Sequence, residues 1–245
     1  MSDRSTASRR PAARPAAGPA VGAGPAGRAA AVRAAWAARA LTAAAVLYNA
    51  WVLEAVLPTG LDPRHSYVSE LYAADQPFHL LFGGVEILTA LLVATGILAW
   101  PPGARLPGDR TATAGRWALG VFALASVADV IVPMRCAPSV NHACEMVNPW
   151  HTATSALVHA GLFVSMGLLV AAAVARGGRT RWPPLRRRGP WVLAAALLTA
   201  LATVGPLFGR PGWHGLPQRA HLVLVGVWLV LLAASLRAEH RTARE

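Results

Sequence analysis

Lysine is absent from this 245-residue chain, and all 23 of its basic residues are arginine. Charge of either sign is scarce. Charged residues make up 14% of the chain, where a soluble domain carries about 25%. With 55% hydrophobic residues and a mean hydropathy of +0.42, that deficit excludes an ordinary soluble domain. Strand-like alternation is not sustained anywhere, which argues against a barrel. No P-loop, H-E-x-x-H or G-x-S-x-G is present, so the chain carries no complete catalytic signature of those kinds. Arginine in place of lysine, with the excess of Ala, Gly and Pro, points to a GC-rich, actinobacterial genome.

What is present is a series of apolar segments. Six are expected, near 37–57, 77–99, 117–134, 151–174, 190–209 and 219–236, each close to the roughly 20 residues that cross a hydrocarbon core. Only a helix satisfies its own backbone in lipid, so the expected class is all-α, a polytopic transmembrane helical bundle. Residues 1–36 hold Ala, Pro, Gly, Arg and Ser with almost no large apolar side chain, and read as a disordered tail. The first apolar run is long enough to span and is followed by others, so an uncleaved span is expected rather than a signal peptide. Residues 238–245 form a second short tail.

Arginine placement orients this bundle. With six spans, 19 of the 23 arginines fall on one side: in the N-terminal tail counted with Arg39, in the 100–116 and 175–189 loops, and at the C-terminus from Arg237. The other four, Arg64, Arg135, Arg210 and Arg219, fall on the opposite side. The positive-inside rule then places both termini in the cytoplasm of a plasma-membrane protein. The net charge of +12 is spread over separate patches between apolar segments, so membrane lipid is the expected partner and nucleic acid is not.

Histidines show the reverse bias. Seven of eight fall in outer loops or outer halves of spans, with Glu54, Glu70, Asp75, Asp129 and Glu145. Glu86, Asp129 and His159 lie deepest, where an ionisable group is costly and marks either a functional site or a paired interior network. His79 and Glu86 share one face of the second span; Ser126 and Asp129 lie on the third. His151, Ser155 and His159 follow at steps of four on the fourth, drifting about 80° over about 12 Å. The segment from Ser66 reads as a short interfacial helix carrying Ser69, Glu70 and two headgroup-level tyrosines, Tyr67 and Tyr72. Arg219, opening the last span, is a partner for Asp129 or Glu86, or for a phosphate headgroup. Cys136 and Cys144 share one short outer loop on the oxidising side. A disulfide is expected there, ahead of a thiolate metal site with His142, because C-x7-C is no zinc spacing.

Four motifs together resemble a known family: S-Y-V-S-E-L-Y-A after the first span, V-P-M-R-C-A-P-S-V-N-H-A-C before the fourth, W-H-T-A-T-S-A-L-V-H within it, and G-L-P-Q-R-A-H opening the last. They look like the bacterial six-span family known as domain of unknown function 998, over about residues 40–237. The resemblance implies fold and membrane location and no assigned activity. Family members often carry an acid where this chain has Arg135.

Three functions are open at this level. The first is a non-catalytic lipid-binding or transport-accessory bundle with a polar outward-facing cavity, walled by spans two, three, four and six and bearing Glu70, Glu86, Ser155 and Arg219. The second is a zinc-dependent hydrolase acting on lipid at the outer leaflet. Its outer Ser, His and Asp pattern is similar to the intramembrane ceramidase-like superfamily, although H-x7-H stands here for that superfamily's H-x3-H. There His79, His151 and His159 would hold zinc, Asp129 would act as base and Ser69 would orient. The third is a single-haem redox protein with His79 facing His151 or His159.

Overall fold

The computed structural model describes residues 24–101, 109–145, 148–175, 182–210 and 212–242. The first 23 residues of the expected tail therefore lie outside the described residues, as do the last three of the chain. Among the described residues six α-helices follow one another: α1 Pro25–Leu47, α2 His79–Ala99, α3 Asp109–Ile131, α4 Pro149–Val174, α5 Pro183–Leu201 and α6 Gly215–Thr242. Three 3-10 segments, Ala50–Ala55, Val68–Tyr72 and Gly205–Phe208, lie between α1 and α2 and between α5 and α6. No strand occurs among the described residues.

Helix ends depart from expectation: α3 starts at Asp109 instead of near 117, α6 runs to Thr242 through most of the expected second tail, and α1 and α5 are also displaced. Residues from Pro25 onward, placed in the tail by composition, form the first turns of α1. Alanine is the best helix former, and an Ala/Arg segment continuous with an apolar run extends that helix. The first span then breaks at Tyr48 and resumes as a 3-10 segment. Asn49 sits at the break. Its Nδ2 donates to the Ala45 carbonyl and its Oδ1 accepts from Trp51 Nε1, a side-chain bonding pattern that competes with the helical ladder. At the other end, α5 begins at Pro183 and stops at Leu201 instead of running over 190–209. Pro206 has no N–H and disfavours a helical residue before it, so the chain turns there.

Among the described residues, five segments are long and apolar enough to cross a membrane: Pro25–Ala55, His79–Ala99, Arg110–Ile131, Pro149–Val174 and Gly215–Glu239. The sixth helix, α5, falls outside that set because every 18-residue stretch of its 19 residues contains Arg186, Arg187 and Arg188. The protein is thus an all-helical, multi-pass membrane protein. Its outside agrees with this: Leu80, Leu98, Trp117, Leu124, Ile131 and Trp191 are all well exposed, a surface that water would not tolerate.

Successive helices pack side by side, and α6 closes the set against α1. Trp228, Phe122, Leu41, Leu119, Leu162 and Met166 fill the interior. The α3–α4 contact is the most intimate, because Gly161 lies against the α3 backbone. A Cβ there would stand 2.7 Å from the Phe122 nitrogen and 3.1 Å from the Ala118 carbonyl. Small residues at crossings are how membrane helices gain close packing without a hydrophobic driving force.

Candidate functional site

The polar residues singled out in the sequence gather at one end of the bundle, under a cap made of the 56–78 loop and the 133–145 loop. Turn chemistry builds the cap. Tyr67 is extended, and Glu70 turns back so that Oε1 accepts from the Tyr67 N–H at 2.8 Å, which opens the Val68–Tyr72 segment. That segment begins two residues after Ser66 and is 3-10 in geometry. The second carboxylate oxygen of Glu70 accepts from both the N–H (2.9 Å) and the hydroxyl (2.5 Å) of Ser139. Asp75 accepts from the Ala137 N–H, and the Ala74 N–H donates to the Met134 carbonyl. The loops are thereby sewn together by an acid, Glu70, that is 1% exposed. Cys136 and Cys144 form the expected disulfide, with Cα atoms 6.0 Å apart.

Arg219 carries the largest polar constellation. Its Nε and Nη2 each meet a Glu54 carboxylate oxygen at 2.6 Å, a bidentate pair. Its Nη1 donates to the carbonyls of Pro63, Ser66 and Gly215 at 2.8, 2.9 and 3.1 Å. The guanidinium also lies 5.9 Å from the Trp51 ring. Gly215 is needed here, since a Cβ would run into the Pro63 and Ser66 carbonyls. The partner of Arg219 is thus Glu54, not Asp129 or Glu86 as expected. The break in α1 turns Glu54 inward, and a helix-periodic reading of the first span does not show that.

Asp129, at the end of α3, is the second centre. Its Oδ2 accepts from the Tyr72 hydroxyl at 2.8 Å; its Oδ1 accepts from Thr154 and Ser155 at 2.5 and 2.9 Å. His151 Nδ1 stands 3.3 Å from the same Oδ1 without making an aligned hydrogen bond. Asn148 caps α4 by accepting from the N–H groups of Trp150 and His151, and Pro149 takes the first helical position, so His151 is held over Asp129. Tyr72, expected at the headgroup level, turns its phenol inward. Burial first, then the nearby carboxylates of Asp129 and Glu86, push that phenol well above its usual range, so it stays a neutral donor. Glu86 lines a narrow cavity of about 40 Å³ with Tyr48, Trp51, Tyr72 and Phe82. That space suits a water or two. It lies between α1, α2, α6 and the cap, and α3 and α4 do not line it.

The other expected site residues lie apart from these centres. Ser69 donates to the Met134 sulfur at 3.8 Å. His79 Nδ1 meets the Gln76 carbonyl at 2.8 Å. His159 Nδ1 meets the Ser155 carbonyl, and its ring stacks on His221 with centroids 5.2 Å apart. His79, His151 and His159 are therefore not brought together as a ligand set. Among the described residues no three of His, Cys, Asp and Glu are grouped as a metal would need. The steps of four that put His151 and His159 on one helix also separate them along its axis, and each ring faces a different neighbour.

Sequence reasoning missed Thr154, Ser139 and Gln218, whose Oε1 accepts from the Val68 N–H at 2.6 Å. All three are short-range neighbours of residues that were singled out, but their partners lie far off in the chain. His214 falls in the loop between the fifth and sixth expected spans. It is 6% exposed and lies on the Tyr67 ring, with centroids 4.4 Å apart. Neither of its ring nitrogens makes an aligned hydrogen bond, and burial lowers its pKa. At the rim, hydrogen bonds from Arg64 hold Asp62 at about 2. Burial, with Glu70 nearby, pushes Tyr67 up to about 12.

A family model described as "Protein of unknown function (DUF998)" matches residues 41–235. No curated protein and no solved structure matches the chain.

Proposed function

The chain belongs to the DUF998 family, and on that premise we propose that it is a six-span plasma-membrane protein with both termini in the cytoplasm, acting as a non-catalytic lipid-binding or transport-accessory bundle. One observation carries the non-catalytic part. Three acids at the outer end are already engaged by partners from other elements: Glu54 by Arg219, Glu70 by Ser139, Asp129 by Tyr72, Thr154 and Ser155. A general base needs a free lone pair facing a substrate. Here the lone pairs face the protein, and the adjoining cavity of about 40 Å³ has no room for a lipid amide or ester. The network serves as a clasp that fixes the cap to α3, α4 and α6.

The orientation rests on the 19-to-4 division of arginines. The sixth crossing is α5, whose three arginines sit in the first two turns and can reach the interface while the apolar remainder enters the membrane.

Single cysteines placed in a background lacking Cys136 and Cys144 test the topology. With a membrane-impermeant maleimide on intact cells, Thr59→Cys is labelled, and Ser8→Cys and Thr180→Cys are labelled only after permeabilisation. Labelling of Thr180→Cys on intact cells refutes the orientation. Metal analysis of the tag-free protein in mild detergent tests the non-catalytic reading: about one zinc per folded chain would replace it with the lipid hydrolase.

A further inference from the structure

A second concavity lies away from the clasp. α1 and α5 both pack along α6, and between them runs a cleft of about 400 Å³. Val223, Val227 and Val230, spaced to share one face of α6, form its floor and are 41–46% exposed. Val46 and Val192 form its sides. At the outer end sits Asn49, whose amide is satisfied by Ala45 and Trp51. Gly226 permits that approach, since a Cβ there would stand 2.5 Å from Asn49 Nδ2. At the opposite end stands Arg188, the one charged residue in the lining.

Arg188 makes no hydrogen bond or ion pair with the described residues. Arg186 and Arg187 precede it in the same turn, and all three are exposed. Arg237, also exposed, reaches across from α6 to the Thr42 hydroxyl at 3.3 Å. Topology signalling needs arginines in the loop. It does not need one to close the end of an apolar cleft. An exposed guanidinium with no carboxylate partner is free to take an anion, and an apolar cleft beside it can take a chain. One ligand class has both.

We propose that the α1/α5/α6 cleft is a binding site for an anionic phospholipid of the arginine-rich leaflet, its acyl chain along Val223, Val227 and Val230 and its phosphate at Arg188. Arg186 and Arg187 select anionic over zwitterionic headgroups, by about fivefold per arginine near the interface. The site rests on the reading of the protein as a lipid-binding bundle and names the lipid and its place.

The test is native mass spectrometry of the full chain released from detergent with phosphatidylglycerol and phosphatidylcholine of equal chain length. Wild type retains phosphatidylglycerol at least tenfold better. Arg188→Gln loses about fivefold, and the triple Arg186→Gln/Arg187→Gln/Arg188→Gln variant loses the preference. Val230→Trp, which fills the cleft and leaves every arginine, lowers retention of both lipids; Val227→Phe replaces it if that variant is not monodisperse. A triple variant that keeps the preference overturns the site, as does a filled cleft that binds as wild type. The topology labelling is independent. Phosphatidylglycerol held as expected with residue 180 outside would leave the site and refute the orientation; no preference with residue 180 inside would do the reverse.

Discussion

Replacing Arg219 with methionine removes the guanidinium and keeps most of the side chain's volume. Glu54 and Arg219 are only 5% and 6% exposed at the side chain, so the carboxylate left behind has no access to water. Breaking a buried pair by deleting one partner costs about 3–5 kcal/mol. The carbonyls of Pro63, Ser66 and Gly215 also lose a donor, which adds to the upper end of that range. For a domain of this size each kcal/mol moves Tm by about 2–4 °C, so the expected fall is about 6–20 °C. Tryptophan fluorescence during heating in mild detergent reads it. Replacing both partners, Glu54→Leu with Arg219→Met, should recover part of the loss, since the uncompensated charge is then gone. A single variant that melts within about 2 °C of wild type refutes the clasp, as does a double variant less stable than the single one by the full additive amount.

Tyr72→Phe deletes the hydrogen bond to Asp129 and leaves a buried acceptor without its donor, a loss of about 1–3 kcal/mol, and should lower Tm by several degrees while leaving helix content by circular dichroism unchanged. Reducing the Cys136–Cys144 bridge, or replacing both residues with serine, frees a small loop and should cost about 2–3 kcal/mol in the chain-entropy picture, read as a Tm difference with and without reductant. Gly161→Val drives a branched side chain into the Phe122 backbone and should separate α3 from α4, seen as lost monodispersity or a large fall in Tm. The pH dependence has a definite sign at His214. Burial lowers its folded pKa, so the unfolded chain binds the proton first as pH falls through about 6.5. Its contribution is therefore intact above that pH and declines below it. Glu70 opposes this shift, and His65 and Arg219 add to it. His214→Phe should flatten the decline in Tm between neutral pH and pH 5; an unchanged slope would refute the assignment.

Composition and periodicity determined the class of this protein. Scarce charge and long apolar runs dictate a helical membrane protein, because lipid offers the backbone no other partner. The cysteine pair was legible for the same local reason: two thiols in one short loop have only each other within reach. Residue types were legible too. Asp129 stands out by its depth in an apolar segment and Glu70 by its place in the interfacial segment, whereas Glu54, near a span end, is a weaker signal. What the sequence did not yield was who holds whom. Glu54 meets Arg219 across 165 residues, and Ser139 meets Glu70 across 69. Those pairings depend on where α1 breaks and how the cap folds over the bundle, and neither has a periodic signature. The histidines illustrate the same limit. Residue types suggested a zinc set of His79, His151 and His159, although the H-x7-H spacing already set the last two far apart on one helix. The packing of α2, α4 and α6 instead turned each ring to a separate neighbour, because helical rotation and tertiary contact, not spacing along the chain, set where a side chain points.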